Sequence, residues 1–177
     1  MINEIIKRNG ITFGIITGIS SVLLTTIIYS IDLELFTAWW NSVVSFTLYI
    51  VIAIVLLTKT KRELNGIFPF KDAFTTYFIS AVIGILISVS FNIILFNFID
   101  PAAKDAIKEI TIKYMISTLE KFGTPASAIN EAIAKLKEND QFSITEQLKG
   151  SIFSILFSAI FGLLLAAFFK SKTSSQE

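Results

Sequence analysis

Two groups of residues carry most of the polar chemistry in this chain. The first surrounds the stretch KRELNGIFPFKDAF at 61–74, where Lys59, Lys61, Arg62 and Lys71 flank an Asn-Gly turn and a proline set between phenylalanines. Basic side chains so placed can meet anionic lipid head groups, at about 1 kcal/mol each near a membrane surface. The second is a set of uncharged polar side chains inside otherwise apolar runs, chiefly Tyr77 and Asn92. Asn92 follows Ser80, Gly84 and Ser88 at four-residue steps, which places all four on one helix face. An amide there can form an interhelical hydrogen bond worth about 1 kcal/mol. Its alternative role is to line, with Tyr77 and Ser88, a polar path for a solute.

Other chemistries lack their residues. The chain has no histidine and no cysteine, so a histidine-dependent triad, a thiol nucleophile and an ordinary zinc site are unavailable. Neither GxxxxGK[ST] nor GxGxxG occurs. No catalytic, cofactor-binding or metal-ligating residues are expected. A formal net charge of +1 predicts no bulk attraction to nucleic acid.

The elements that must position these groups are legible from charge. Of 177 residues, 53% are hydrophobic and only 16% charged, against about 25% charged in soluble domains. Runs free of Asp, Glu, Lys and Arg cover 11–31, 35–58, 73–99 and 150–169. A bilayer core about 30 Å thick needs about 20 apolar residues in a helix. The fold class expected is therefore all-α: an integral membrane four-helix bundle, with spans at about 11–31, 36–58, 73–99 and 150–169 in one domain over 1–177. The first run is about twice as long as the apolar part of a signal peptide needs, and is expected to be a retained anchor. With no ionisable group inside the four runs, proton-coupled transport lacks its usual intramembrane charge.

Asp32 to Leu35 form a tight link between the first two spans, and Trp39-Trp40 suit the outer interface. The third run would reach about 40 Å as a straight helix, so the turn Phe74–Tyr77 is expected at the membrane interface. Asp100-Pro101 ends it, because the residue before proline leaves the helical region. Asn41 and Asn97 fall near the outer interface, where water can hydrate them. Residues 101–149 form an extracytoplasmic helical insert between the third and fourth spans. Ile107, Ile110, Tyr114 and Leu119 define one amphipathic helix, stopped at Gly123. Thr124-Pro125 starts a second, with Ile129, Ile133 and Leu136 on one face, broken at Asn139-Asp140. Ser143 and Glu146 match a capping box that opens the last helix near Ile144. The insert reads as a hairpin packed on the bundle top or the membrane surface; the alternative is a lid or a docking surface.

Short flanks set the orientation. Lys7 and Arg8, the 59–72 loop, and Lys170 with Lys172 are basic, whereas the first link carries Asp32 and Glu34. The positive-inside rule puts both termini and the 59–72 loop of a multi-pass membrane protein in the cytoplasm. Within that loop Asn65-Gly66 turns the chain, Phe68 and Phe70 rest at the interface, and Pro69 with Asp72 starts the third helix.

Small residues mark the packing faces: Gly10, Gly14 and Gly18; Ser80, Gly84 and Ser88; and Gly150, Ser154, Ser158, Gly162 and Ala166. In lipid, such stripes let helix backbones approach closely. They can close the bundle or join two copies.

The order of spans and insert, with Lys61-Arg62-Glu63-Leu64-Asn65-Gly66, Phe70-Lys71-Asp72-Ala73-Phe74 and Asn97-Phe98-Ile99-Asp100-Pro101, resembles domain of unknown function 4199, a family of small four-helix bacterial membrane proteins. The resemblance covers nearly the whole chain. It implies fold and membrane location, and supplies no activity. The function expected is that of a non-enzymatic accessory or interaction subunit. Its partners would be the lipid bilayer and a second copy or another membrane protein. The alternatives are a small oligomeric transporter or channel and, third, a lipid-handling membrane enzyme.

Overall fold

The computed structural model describes residues 2–138 and 140–171. Lys172 and Asn139 therefore lie outside the described residues. Among those described there are six α-helices and no strand: α1 (Glu4–Ile31), α2 (Trp39–Glu63), α3 (Phe70–Ile94), α4 (Pro101–Lys121), α5 (Ala126–Glu138) and α6 (Ile144–Phe169). Four of them, α1, α2, α6 and α3 continued to Ile99, are long and apolar enough to cross a membrane. Only 28% of the apolar window is buried in α1, and 17% in each of the others. Their apolar side chains thus face outward as much as inward, as in helices solvated by lipid.

The helix ends follow local chemistry. Asn3 caps α1 by accepting from the Ile5 amide at 2.9 Å, so this helix starts seven residues before the charge-free run. The link to α2 is longer than the sequence suggests. Asp32 accepts from the Glu34 amide at 2.9 Å and winds Leu33–Thr37 into a 3₁₀ turn, which delays α2 to Trp39. After α2, Asn65 and Gly66 take positive φ (53° and 83°), and the Gly66 amide closes on the Lys61 carbonyl at 2.9 Å. Leu95–Ile99 widens into a π-helical turn, and Asp100 then caps α4 through the Ala103 amide, with Pro101 first in the helix. Gly123 stops α4 at φ 69°. Ser143 accepts from the Glu146 amide and opens α6 at Ile144, as the capping box predicts.

The helix α3 lies between α1 and α6, and α2 packs mainly on α1. Gly10, Gly14 and Gly18 form a groove on α1 that takes Ile79, Ile83 and Ile87 of α3 in parallel register. A Cβ at these glycines would stand 2.9, 2.7 and 2.6 Å from the facing isoleucine, closer than carbon atoms pack. Gly84 meets Thr17 in the reverse direction, and Gly162 of α6 receives Tyr77 and Phe74. The turn Phe74–Tyr77 is therefore packed against α6. Helix–helix contact here depends on missing side chains, since lipid gives apolar groups little reason to leave it.

Two apolar clusters close the ends. Leu57, Phe68, Ala73 and Ala166, each 0% exposed, form one beside the 59–72 loop. Phe68 is thus core, whereas the sequence places it at the interface; its amide bonds the Ser171 hydroxyl at 3.2 Å and its carbonyl accepts from the Ser171 amide at 2.8 Å. Leu95, Phe96, Ala103 and Ile107 form the other, with the Phe142 ring tilted against Phe96 at 4.6 Å between centroids. Only the first turns of α4 take part. Beyond Ile107 its predicted apolar stripe is less covered: Ile110 and Leu119 are half-buried and Tyr114 is 51% exposed.

Candidate functional site

Between the two clusters, α2 and α6 diverge and hardly touch, which opens a cavity of about 640 Å³. Its floor is α1 and α3; its walls are α2 and α6. The walls are aromatic and aliphatic. Phe161 of α6 reaches across the gap, 6.0 Å from Phe46 of α2 and 6.2 Å from Tyr77 of α3. Phe153 and Phe157 stand at the rim, 74% and 67% exposed. The floor is polar. Ser21 of α1 and Ser88 of α3 share a hydrogen bond of 2.8 Å, and the Tyr49 hydroxyl of α2 donates to Ser21 at 3.2 Å. One turn beyond Ser88, Asn92 lines the same cavity with its Oδ1 buried and without a hydrogen-bond partner among the described residues. No Asp, Glu, Lys or Arg is found among the described residues of the lining.

The structure brings some predicted site residues together here and sends others elsewhere. Tyr77, Ser80, Gly84, Ser88 and Asn92 line the cavity, as do Ser154 and Ser158. Gly162 and Ala166 are buried against α3 and the loop-end cluster. Gly150 has no atom near the place of a Cβ, and Ser154 is exposed at the rim with its hydroxyl returned to the Gly150 carbonyl at 2.9 Å. The small-residue stripe of α6 is therefore a packing face only from Ser158 onward, because the helix leaves its neighbours where the cavity opens. Asn97 is bonded rather than simply hydrated: its amide donates to the Phe142 carbonyl at 2.9 Å and to Ile93 at 3.1 Å. Asn41 keeps a buried Oδ1 without a partner among the described residues.

Of the basic cluster, Lys59, Arg62 and Lys71 are exposed and Lys61 is half-buried. Lys59 lies 3.9 Å from Glu63 and 5.6 Å from the Phe13 ring centroid, so its charge is partly answered within the fold. Sequence reasoning missed the partners it could not pair, namely Ser21 and Tyr49 in the cavity and Asn9 and Thr60 beside Glu63. Ser21 lies three residues past Gly18 on the face that meets α3, which is the one signal the sequence offered.

At the far end, the Tyr29 hydroxyl donates to Asp100 Oδ2 at 2.7 Å. That bond, then the Ala103 amide, holds the Asp100 carboxyl below the usual carboxylate range. Lys104 donates to Asp140 at 2.8 Å and, with the Phe142 amide, lowers the Asp140 carboxyl in the same way. These bonds fasten α4 to α1 and to the segment before α6.

Fold and cavity together define an all-α protein with four helices fit to cross a membrane and a hydroxyl-floored cleft among them. The chain belongs to the family described as protein of unknown function (DUF4199), whose model matches residues 12–171. No curated protein and no solved structure matches it.

Proposed function

We propose that the chain is a non-enzymatic accessory protein of the bacterial cytoplasmic membrane that binds a membrane component in the cleft between α2 and α6. In this reading α1, α2, α3 and α6 are a four-helix membrane bundle, the α4–α5 insert is extracytoplasmic, and both termini are cytoplasmic. The observation that carries the proposal is the cleft itself. At about 640 Å³ it is within the ordinary range of ligand sites, about 300–1,000 Å³, and it opens sideways between two helices whose outer faces are apolar. A site open in that direction is loaded from the bilayer plane. The lining offers hydroxyls and one amide, which suit recognition better than proton transfer.

The transporter alternative requires a path past both ends of the bundle. Leu57, Phe68, Ala73 and Ala166 pack together at the loop end, each 0% exposed, which favours a binding site closed on that side. The test is native mass spectrometry of the protein extracted directly from membranes into lipid nanodiscs. Wild type is expected to carry one tightly held membrane-derived adduct. Ala81→Phe, which projects a ring into the cleft floor, is expected to lose it with the fold intact. A folded wild-type chain that always appears bare would overturn the proposal.

A further inference from the structure

The geometry points to an uncharged lipid whose head group is a hydroxyl as the occupant of the cleft, an inference that rests on the binding role just proposed. Its basis is a count of donors and acceptors on the floor. Tyr49, Ser21 and Ser88 bring three hydroxyl protons and make two hydrogen bonds with one another, Tyr49 to Ser21 and the shared Ser21–Ser88 bond. Only one of those protons remains free to donate. Asn92, on the same face of α3 and one turn from Ser88, adds a buried Oδ1 with no partner among the described residues. Side chains at that spacing have their Cβ atoms about 5–6 Å apart, so one small group can reach both. The floor thus presents uncharged donors and acceptors together: the free hydroxyl proton, the Asn92 amide protons and the hydroxyl oxygens.

A hydroxyl is both acceptor and donor and answers both kinds of group with one oxygen. An ionised phosphate or carboxylate can only accept, and would bring a negative charge to a lining without a cation among its described residues. An ammonium can only donate. Water could answer the same groups, so the rest of the cleft must decide between them. Its remaining surface is largely hydrocarbon: Phe46, Ile50, Ile85, Phe157 and Phe161 surround the polar floor. A volume near 640 Å³ is far more than one water needs, and is suited to an acyl or isoprenoid chain that continues through the rim into the bilayer. Diacylglycerol and a long-chain isoprenoid alcohol share this chemistry.

The test uses the full chain in nanodiscs with three photoreactive diazirine probes: a diacylglycerol, an isoprenoid alcohol, and a phosphatidic acid with the same acyl chains as the diacylglycerol. At least one of the two alcohols is expected to label peptides from α2 and α6 at one per chain, and to be displaced by its unlabelled form. Which one does so identifies the source. Phosphatidic acid is expected to label them much less. Asn92→Leu should weaken saturable labelling by about fivefold to tenfold, the loss of one hydrogen bond. The same substitution removes a buried acceptor that has no partner, so the thermal midpoint of the unliganded protein should be unchanged or higher. Ser88→Ala provides a second variant, also expected to weaken labelling. Labelling by phosphatidic acid as strong as by either alcohol, no saturable labelling by either alcohol, or labelling indifferent to both variants would overturn the inference. A one-to-one native adduct that proves to be a phospholipid or a peptide would sink this inference and leave the binding role standing; a bare wild-type chain would sink both.

Discussion

At the scale of single residues, a few polar side chains of the four long helices pair across helices, while most hydroxyls bond back to a carbonyl of their own helix. Asn9 is the clearest case outside the cleft. It is 2% exposed, and its amide donates to Glu63 Oε2 at 2.9 Å and to Thr60 Oγ1 at 3.2 Å. Arg8, its neighbour in sequence, also bonds Glu63 at 2.9 Å, but with a side chain 65% exposed. The ion pair has the shorter name and the smaller effect. Exposed pairs contribute about 0–1 kcal/mol, whereas unmaking buried hydrogen bonds costs about 1–3 kcal/mol per stranded group. Asn9→Leu is therefore expected to destabilise the protein by about 1–3 kcal/mol and Arg8→Gln by less than about 1 kcal/mol. Unfolding of both variants in the same detergent at neutral pH measures the order; an Arg8→Gln loss equal to or above that of Asn9→Leu would contradict it. The sequence marks Arg8 by its charge. Asn9 carries no mark until α2 places Thr60 and Glu63 beside it.

At the scale of elements, the sequence was most legible where one rule acted alone. Charge-free runs located four helices, and Ser143 and Glu146 located the start of α6 at Ile144. Legibility failed where an end depends on a local hydrogen bond, as at Asn3 and Asp32, or on distant contact, as at Phe68. Ser171 and Ala166, about a hundred residues away, make that phenylalanine core. For the cleft, Ser88, Asn92 and Tyr77 were visible as polar breaks in apolar runs, whereas Ser21 and Tyr49 needed the helices set side by side. The α4–α5 hairpin was visible by periodicity, but its attachment was not. Beside the apolar contacts of Ala103 and Ile107, that attachment has an electrostatic part with a definite pH response. Asp140, bonded to Lys104, and Asp100, bonded to Tyr29, both titrate below the ordinary 3.8. A carboxyl lowered by folding stabilises the fold fully above its unfolded value and ceases to do so as pH falls through the folded one. Amide protection over residues 140–143, corrected for intrinsic exchange, should be flat from neutral pH to about 5 and fall below about 4. Lys104→Met should lower protection at neutral pH and shrink that acid step. A wild-type step between about pH 5 and 7 would place the attachment on other groups.

At the scale of the whole molecule, the two ends differ in kind. One gathers the start of α1, the 59–72 loop and the end of α6: Arg8 meets Glu63, and Phe68 meets Ser171. Lys7, Arg8, Lys59, Lys61, Arg62, Lys71 and Lys170 all lie at or beside that end. The other carries Asp32, Glu34 and the α4–α5 hairpin. Because the basic flanks converge in space, they should act as one orientation signal and not as independent ones. This sharpens the expectation from the positive-inside rule, which counts flanks one by one. Neutralising Lys59, Lys61, Arg62 and Lys71 together leaves Lys7, Arg8 and Lys170 at the same end, so inversion should be partial. Reporter fusions after Ser171 and within the turn at Phe122–Gly123 read it out. The wild type should place the first reporter in the cytoplasm and the second outside, and the fourfold variant should yield a mixed population at both sites. Further substitution of Lys7 and Arg8 should drive the mixture toward inversion. Full retention of the wild-type pattern in the sixfold variant would show that orientation is set elsewhere, and would free the loop lysines for recognition of lipid head groups or of a partner.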